Sequence, residues 1–435
     1  MRTARGVSAR WARPLAWAVC VLALTCAPAA AQGEPNCSAA GKNLYVRDVL
    51  TRYYLWYPFL PALDPVRYDS PEAYLEAVRY RPIDHAYSYV TSREANEAFY
   101  SESQFIGFGF STRVDGTTLR VLQVFEGSPA EQAGLGRGQQ IISIDGRSVR
   151  ALIESNQIGT AFGPAEVGLE VEVAFETRDG VMTQARMTKR AVTIPTVSLS
   201  RVFDVDGRRV GYVFFRNFVR PSTAALDNAF AALKAAGVTE LVLDLRYNGG
   251  GLVDVAVHLG SLIGGAPTNG RVMATYAHND KQRARDEVLR FASVDHALGL
   301  SRLVVVTTAA SASASELVIN ALRPYMPVVV VGQRTYGKPV GQYGFPFCDK
   351  VLAPVYFSIR NALDEGDYYD GIPADCAAAD DITHDLGDAA EGSLGEALQV
   401  IRTGACTAAP GTGTLPQRAP SPSRALGWQS IVNAW

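Results

Sequence analysis

At 435 residues the chain exceeds one ordinary core, so two or three domains are expected. Its 48% hydrophobic and 19% charged content is that of a folded globular protein and excludes a largely disordered chain. A net charge of −2 leaves no basic stripe for nucleic acid, and with only six lysines among 41 basic residues any well-placed lysine is informative.

The first 31 residues read as a secretory signal peptide. Arg2, Arg5, Arg10 and Arg13 make a basic start, Pro14 to Leu24 an apolar core, and Ala29 to Ala31 a small-residue cleavage site. The apolar run is shorter than the ~20 residues a span requires, and no second run follows, so no stable membrane span is expected. Cys26 raises a lipid anchor as the alternative, which Thr25 disfavours by standing where a small residue is needed. A periplasmic or secreted location follows. Loss of the four leader arginines takes the net charge from −2 to −6. Cys37, Cys348, Cys376 and Cys406 remain, an even set in a compartment where disulfides persist. The expected pairs are Cys348 with Cys376, which flank one segment, and Cys37 with Cys406, tying the termini.

Residues 43–100 carry helical spacing. Val46, Val49, Leu50, Tyr53 and Tyr57 line one face, and Ser70-Pro71 opens a second helix. The aromatic run Tyr53 to Tyr57 reads as core or domain contact. From 105 to 190 the texture changes to short strands and glycine turns: Gly107-Phe108-Gly109-Phe110, an alternating strand Thr118 to Val124, a Ser128-Pro129 helix start and an Asp145-Gly146 turn. This block resembles a PDZ domain, with Gly107 to Phe110 in the place of its carboxylate-binding loop. Backbone amides there can hold a chain-terminal carboxylate while a peptide joins the sheet edge.

From 195 to 402 strands and helices alternate. Gly211 to Phe215, Thr239 to Arg246, Leu303 to Thr307 and Val328 to Val331 are apolar strands, the later three nearly continuous, as in a sheet covered on both faces. Helices are expected at Ser222 to Ala236 and Val253 to Ile263, giving an α/β layered core. Beyond about Thr403 the chain is Ala/Gly/Pro/Ser-rich and reads as a flexible tail, 403–435.

The chemistry concentrates between Thr307 and Gln342. Ser313-Ala314-Ser315-Glu316 reads first as an N-capping box. A serine between a buried strand and a helix also has its hydroxyl beside free helix amides, where an oxyanion can be held. The Ala314 amide is one such donor, and Gly249 to Gly251 offers a second or is a tight turn. A serine needs a base. Five histidines lie in no recognisable triad motif. Lys338, between an apolar strand and Pro339-Val340, is either a solvated loop residue or a base activated by burial.

Asp244 to Leu252, Ser311 to Glu316 and Thr335 to Lys338 resemble, in order, the three signature blocks of the C-terminal processing (tail-specific) serine proteases of family S41, and the PDZ-like block precedes them as in that family. The resemblance implies an α/β core of the ClpP/crotonase type with an inserted PDZ domain and a small N-terminal helical region. It implies Ser313 as nucleophile, Lys338, twenty-five residues later, as base, Gln342 holding the lysine, and the Gly251 and Ala314 amides as oxyanion donors. It further implies an ATP-independent endopeptidase whose PDZ loop, Gly107, Phe108, Gly109 and Phe110, binds or gates an apolar polypeptide tail. The segment 349–381 departs from the family pattern. A non-catalytic scaffold on a degenerate core would lack nucleophile, base or oxyanion loop, and an acyl-CoA lyase would need a nucleotide site. No His/Cys/carboxylate cluster has ligand spacing, so neither metal nor cofactor is expected.

Overall fold

A computed structural model describes residues 36–407; the expected leader, 1–31, and most of the expected tail lie outside the described residues. Its centre is a six-stranded sheet. Val197–Val205 pairs antiparallel with Arg208–Phe215, and Glu240–Asp244, Leu303–Thr307, Val328–Gly332 and Cys376–Ala377 follow in parallel. Strand alternation sorts the side chains onto two faces. Val213, Phe215, Leu243 and Val305 pack under the helices Ser222–Ala235, Val253–Gly264 and Ala314–Leu322. Tyr212, Phe214, Val242 and Val306 pack against Leu394, Leu398 and Ile401 of the helix Gly392–Thr403. Both faces are covered, which is why these strands read as unbroken apolar runs.

A four-stranded antiparallel sheet, Glu287–Arg290, Val272–His278, Val355–Arg360 and Val340–Gln342, lies beside this core and anchors the segment after Lys338. The helices Ala39–Tyr53 and Pro71–Val78 start at Ser38 and Ser70, whose side chains accept from the Gly41 and Ala73 amides. Their apolar faces (Val46, Val49, Leu50, Tyr54, Leu75, Val78) join the same cluster as the central helices, so this region shares the main core. Strand Tyr89–Ser92 completes the join by pairing with Lys350–Ala353.

The PDZ domain has its own core. Five strands, Phe110–Asp115, Thr118–Val124, Gln140–Ile144, Glu170–Glu176 and Met182–Thr188, run in that order with Phe110–Asp115 at one edge, and a sixth, Arg147–Ser148, pairs with Gln140–Ile144. Phe108, Phe110, Val121, Ile141, Val173 and Phe175 fill its interior. Gln104–Gly107 and Arg190–Thr193 pair antiparallel where the chain enters and leaves.

The expected cysteine pairing is wrong. The disulfides are Cys37–Cys348 and Cys376–Cys406, with Cα separations of 5.9 and 5.4 Å. Cys348 lies in the hairpin between Phe345–Phe347 and Lys350–Ala353, which packs on the N-terminal region, whereas Cys376 begins the last strand of the central sheet. The two stand on different sheets despite bracketing one segment. Cys376–Cys406 also ties down the first residues of the expected tail. Among the described residues no helix is long and apolar enough to cross a membrane.

Candidate active site

The strand Leu303–Thr307 runs into a short loop, and Ser313 sits where that loop turns into the helix Ala314–Leu322. Its backbone has φ 55° and ψ −113°, a region costly for any residue with a Cβ. Such strain persists only where the surroundings over-determine it, and here they do. The Ser313 amide donates to Glu316 Oε2 at 2.8 Å, and the Leu317 amide donates to the Ser313 carbonyl. The three serines, alike in sequence, separate in space. Ser311 Oγ donates to the Leu245 carbonyl at 2.7 Å and accepts from the Thr308 amide at 3.0 Å. Ser315 Oγ donates to the Asn248 carbonyl at 2.9 Å. Both are fully buried fasteners between the serine loop and the glycine loop, while Ser313 is only half-buried.

The glycine loop follows the strand Glu240–Asp244. Asn248 organises it: its Nδ2 donates to the Phe215 carbonyl, its Oδ1 accepts from the Gly250 amide at 2.9 Å, and its carbonyl also accepts from the Ala312 amide. Gly250 has φ +95°, and a Cβ there would meet Ala312 O at 2.7 Å, Ala314 N at 2.8 Å and Ser313 Cβ at 2.9 Å. Gly251, φ +141°, presses equally on the Phe218 carbonyl. The Phe218–Leu252 and Gly250–Phe218 bonds flank Gly251 and leave its amide, like that of Ala314, without an acceptor among the described residues. Two free amides on facing backbones are what an oxyanion needs.

Lys338 is 5% exposed. Burial pulls its ammonium from the ordinary 10.5 down to about 8, opposed only in part by the carboxylates of Asp84 and Glu316. Its Nζ donates to Gln342 Oε1 at 2.7 Å, and Gln342 Nε2 is held by the Tyr87 carbonyl. The Lys338 amide donates to Glu316 Oε2 at 2.8 Å, the same oxygen that binds the Ser313 amide. Glu316 Oε1 takes the Gly337 amide and the Thr335 hydroxyl. Burial raises the Glu316 carboxyl, and these donors oppose that rise.

Gly251, Ser313, Ala314 and Lys338 thus lie beyond the C-terminal ends of the central strands, and Gln342 reaches Lys338 from the neighbouring sheet. Gly107 to Phe110 lies apart, in the PDZ domain. The Phe108 and Phe110 rings are buried, so only backbone can serve a ligand there. The Phe108 and Gly109 carbonyls accept from Ala130 and Phe125, while the amides of Phe108 and Gly109 meet no acceptor among the described residues.

Other site residues were not legible beforehand. Glu316 was readable as a cap but joins both key segments. Asp84, fully buried, accepts from Tyr54, Tyr87 and Ser88 and faces Lys338 from the N-terminal region. Asp380, beyond the end of the S41 match at residue 366, binds Arg137 of the PDZ domain at 2.9 Å and the Tyr247 hydroxyl at 2.6 Å. Burial alone would raise the Asp380 carboxyl, but Arg137 and Arg246 outweigh it and hold it below the usual range. Tyr247 adjoins the glycine loop, so this cluster ties the PDZ domain to that loop.

Models of known families match this chain in three places: peptidase family S41 over 209–366, the peptidase S41 N-terminal domain over 42–89, and the PDZ domain over 120–157. The chloroplastic C-terminal processing peptidase of Tetradesmus obliquus is 30% identical over 245 residues, 53% of this chain and 51% of that one. The carboxyl-terminal-processing protease of Synechocystis is 25% identical over 244 residues, 56% and 55% of the two chains. This chain spans about half the length of these curated relatives. A solved protein assigned to the S41 proteases from Bacteroides fragilis NCTC 9343 superposes with a TM-score of 0.67 at 26% identity, covering 82% of this chain and 96% of that one. The photosystem II D1 C-terminal processing protease shares the fold at a TM-score of 0.52 and 22% identity, over 85% and 98% of the chains. The N-terminal, PDZ and catalytic-domain matches follow one another along the chain in that order, and over the first and the last of them the chain matches peptidase family S41.

Proposed function

We propose that this chain is an exported, ATP-independent serine endopeptidase of the C-terminal processing type, working through a Ser–Lys pair. Ser313 Oγ attacks the scissile carbonyl while Lys338, neutral in an appreciable fraction near pH 8, takes its proton. Gln342 keeps the lysine aimed, and the Gly251 and Ala314 amides receive the oxyanion. The leaving amine takes the proton back, and water then releases the acyl group from Ser313. The carrying observation is the strained Ser313 sharing one Glu316 oxygen with Lys338, whose own ammonium is buried.

The substrate is a polypeptide with an apolar C-terminal tail. Support comes from the free amides at Phe108 and Gly109 beside the edge strand Phe110–Asp115, a geometry suited to a terminal carboxylate and an added strand. Gating by the PDZ domain is supported by the Arg137–Asp380–Tyr247 cluster. Export is supported by the leader pattern of residues 1–31 and by two disulfides.

The test is hydrolysis of an unstructured peptide by purified protein, with labelling by an active-serine phosphonate. Ser313→Ala should lose both, while Ser311→Ala and Ser315→Ala keep labelling at a cost of about 1 kcal/mol of stability each. Labelling that survives in Ser313→Ala would overturn the assignment.

A further inference from the structure

A second polar cluster lies between the PDZ hairpin and the central sheet, outside the Ser313 site. Arg216 follows the strand Arg208–Phe215 and is 3% exposed, its guanidinium 4.9 Å from the Phe125 ring centre and 5.3 Å from that of Phe214. Its Nε and Nη1 are buried and have no hydrogen-bond partner among the described residues. Asp244, the carboxylate that acts on it, is already committed: Arg246 binds both its oxygens and Tyr212 donates to one. On the PDZ side, Ser111 and Gln123 are cross-strand partners, and Gln123 lies two residues before Phe125, which follows the end of its strand. Both are buried, and Ser111 Oγ and Gln123 Nε2 are also unpartnered among the described residues.

We infer that Arg216, Gln123 and Ser111 form a carboxylate-binding site between the PDZ domain and the catalytic core, distinct from the Gly107–Phe110 loop. Every unpartnered atom of the three can donate, and a planar guanidinium with an amide and a hydroxyl matches a carboxylate's two oxygens. One guanidinium between two aromatic rings suits a monoanion; a phosphate dianion would keep an unbalanced charge in an apolar surround. Burial without an anion pulls the Arg216 group down to about 9, with Tyr247 and Asp244 opposing, so a bound carboxylate relieves a strained charge. The place is telling. The carbonyl of Phe215, one residue earlier, accepts from Asn248 of the glycine loop, so the anion would sit at the same end of the central strands as Ser313. Either a small free carboxylate or the terminal carboxylate of a bound peptide could supply the group. The latter role rests on the peptidase reading; the site itself does not.

The experiment uses Ser313→Ala protein, so that no turnover enters the readout, and measures Tm against sodium acetate with sodium chloride at matched ionic strength. Acetate should raise Tm by about 2–4 °C beyond chloride. Arg216→Met should start at a higher Tm, because a buried unpaired charge is gone, and should not respond. Gln123→Leu should respond with a reduced affinity. An unstructured decapeptide with a free carboxylate that raises Tm when its C-terminal amide does not, only with Arg216 present, identifies the peptide terminus as the source. No peptide effect alongside the acetate effect identifies a small free carboxylate. An acetate response no larger than chloride, or one retained in Arg216→Met, overturns the site. Because hydrolysis is not measured, that failure is separate from a failure of Ser313 to act.

Discussion

Replacing Lys338 by methionine should abolish hydrolysis and also stabilise the protein over a defined pH range. Lys338 titrates near 8 in the folded chain and near the ordinary 10.5 when unfolded. That displacement amounts to about 3 kcal/mol against the buried ammonium. Between those values the unfolded chain holds more protons, so wild-type stability rises with pH across this window. Below pH 8 the penalty is fully present, and above 10.5 it is gone. Methionine removes it but leaves Gln342 Oε1 without its donor, an offset of about 1 kcal/mol. Lys338→Met should therefore be more stable than wild type by about 2 kcal/mol at pH 6–7, lose that advantage as pH rises, and fall slightly below wild type above 10.5. Denaturant unfolding of both proteins at several pH values measures this. In wild type, kcat/KM should show an acidic limb near 8. Lys338→Arg should be inactive, since arginine stays protonated. A stability difference that does not vary with pH would refute the buried-lysine argument, and near-normal turnover in Lys338→Arg would remove the base role.

Gly250→Ala places a methyl group against Ala312 O, Ala314 N and Ser313 Cβ at a φ of +95°, and should cut hydrolysis and phosphonate labelling by about 100-fold in a folded protein; normal labelling would show that the glycine loop does not shape the site. Asp84→Asn keeps a side chain able to meet Tyr54 and Ser88 but removes a charge that supports the Lys338 ammonium, so the acidic limb of kcat/KM should move to lower pH by up to about one unit. An unmoved or raised limb contradicts that role. Arg137→Gln breaks bonds to Asp380, Tyr247 and the Leu122 carbonyl, leaving a buried carboxylate underpaired at a cost of about 3–5 kcal/mol to the interdomain contact. Amide exchange should then quicken in Thr118–Val124 and around Tyr247, and unchanged protection at both places would count against the cluster as a tie.

Local chemistry carried the sequence reading a long way. Unbroken apolar runs gave the central strands because the sheet is covered on both faces. The glycine turns and alternating strands of 105–190 gave the PDZ block. The spacing from Ser313 to Lys338 and the triglycine pointed at the residues that gather at the C-terminal ends of the central strands. What could not be read there depends on contacts between distant segments. Asp84 faces Lys338 only because the N-terminal helices share the main core. Asp380 and Arg137 meet only once the PDZ insertion folds back on the sheet, and the residues around Asp380 gave no hint of it. The disulfides were mispaired for the same reason: Cys348 and Cys376 bracket a segment, but they belong to different sheets. The strain at Ser313 and the burial of Lys338 are likewise tertiary. A side chain's pKa and a backbone's tolerated φ are set by what surrounds them, and the tertiary fold assembles those surroundings from all three regions of the chain.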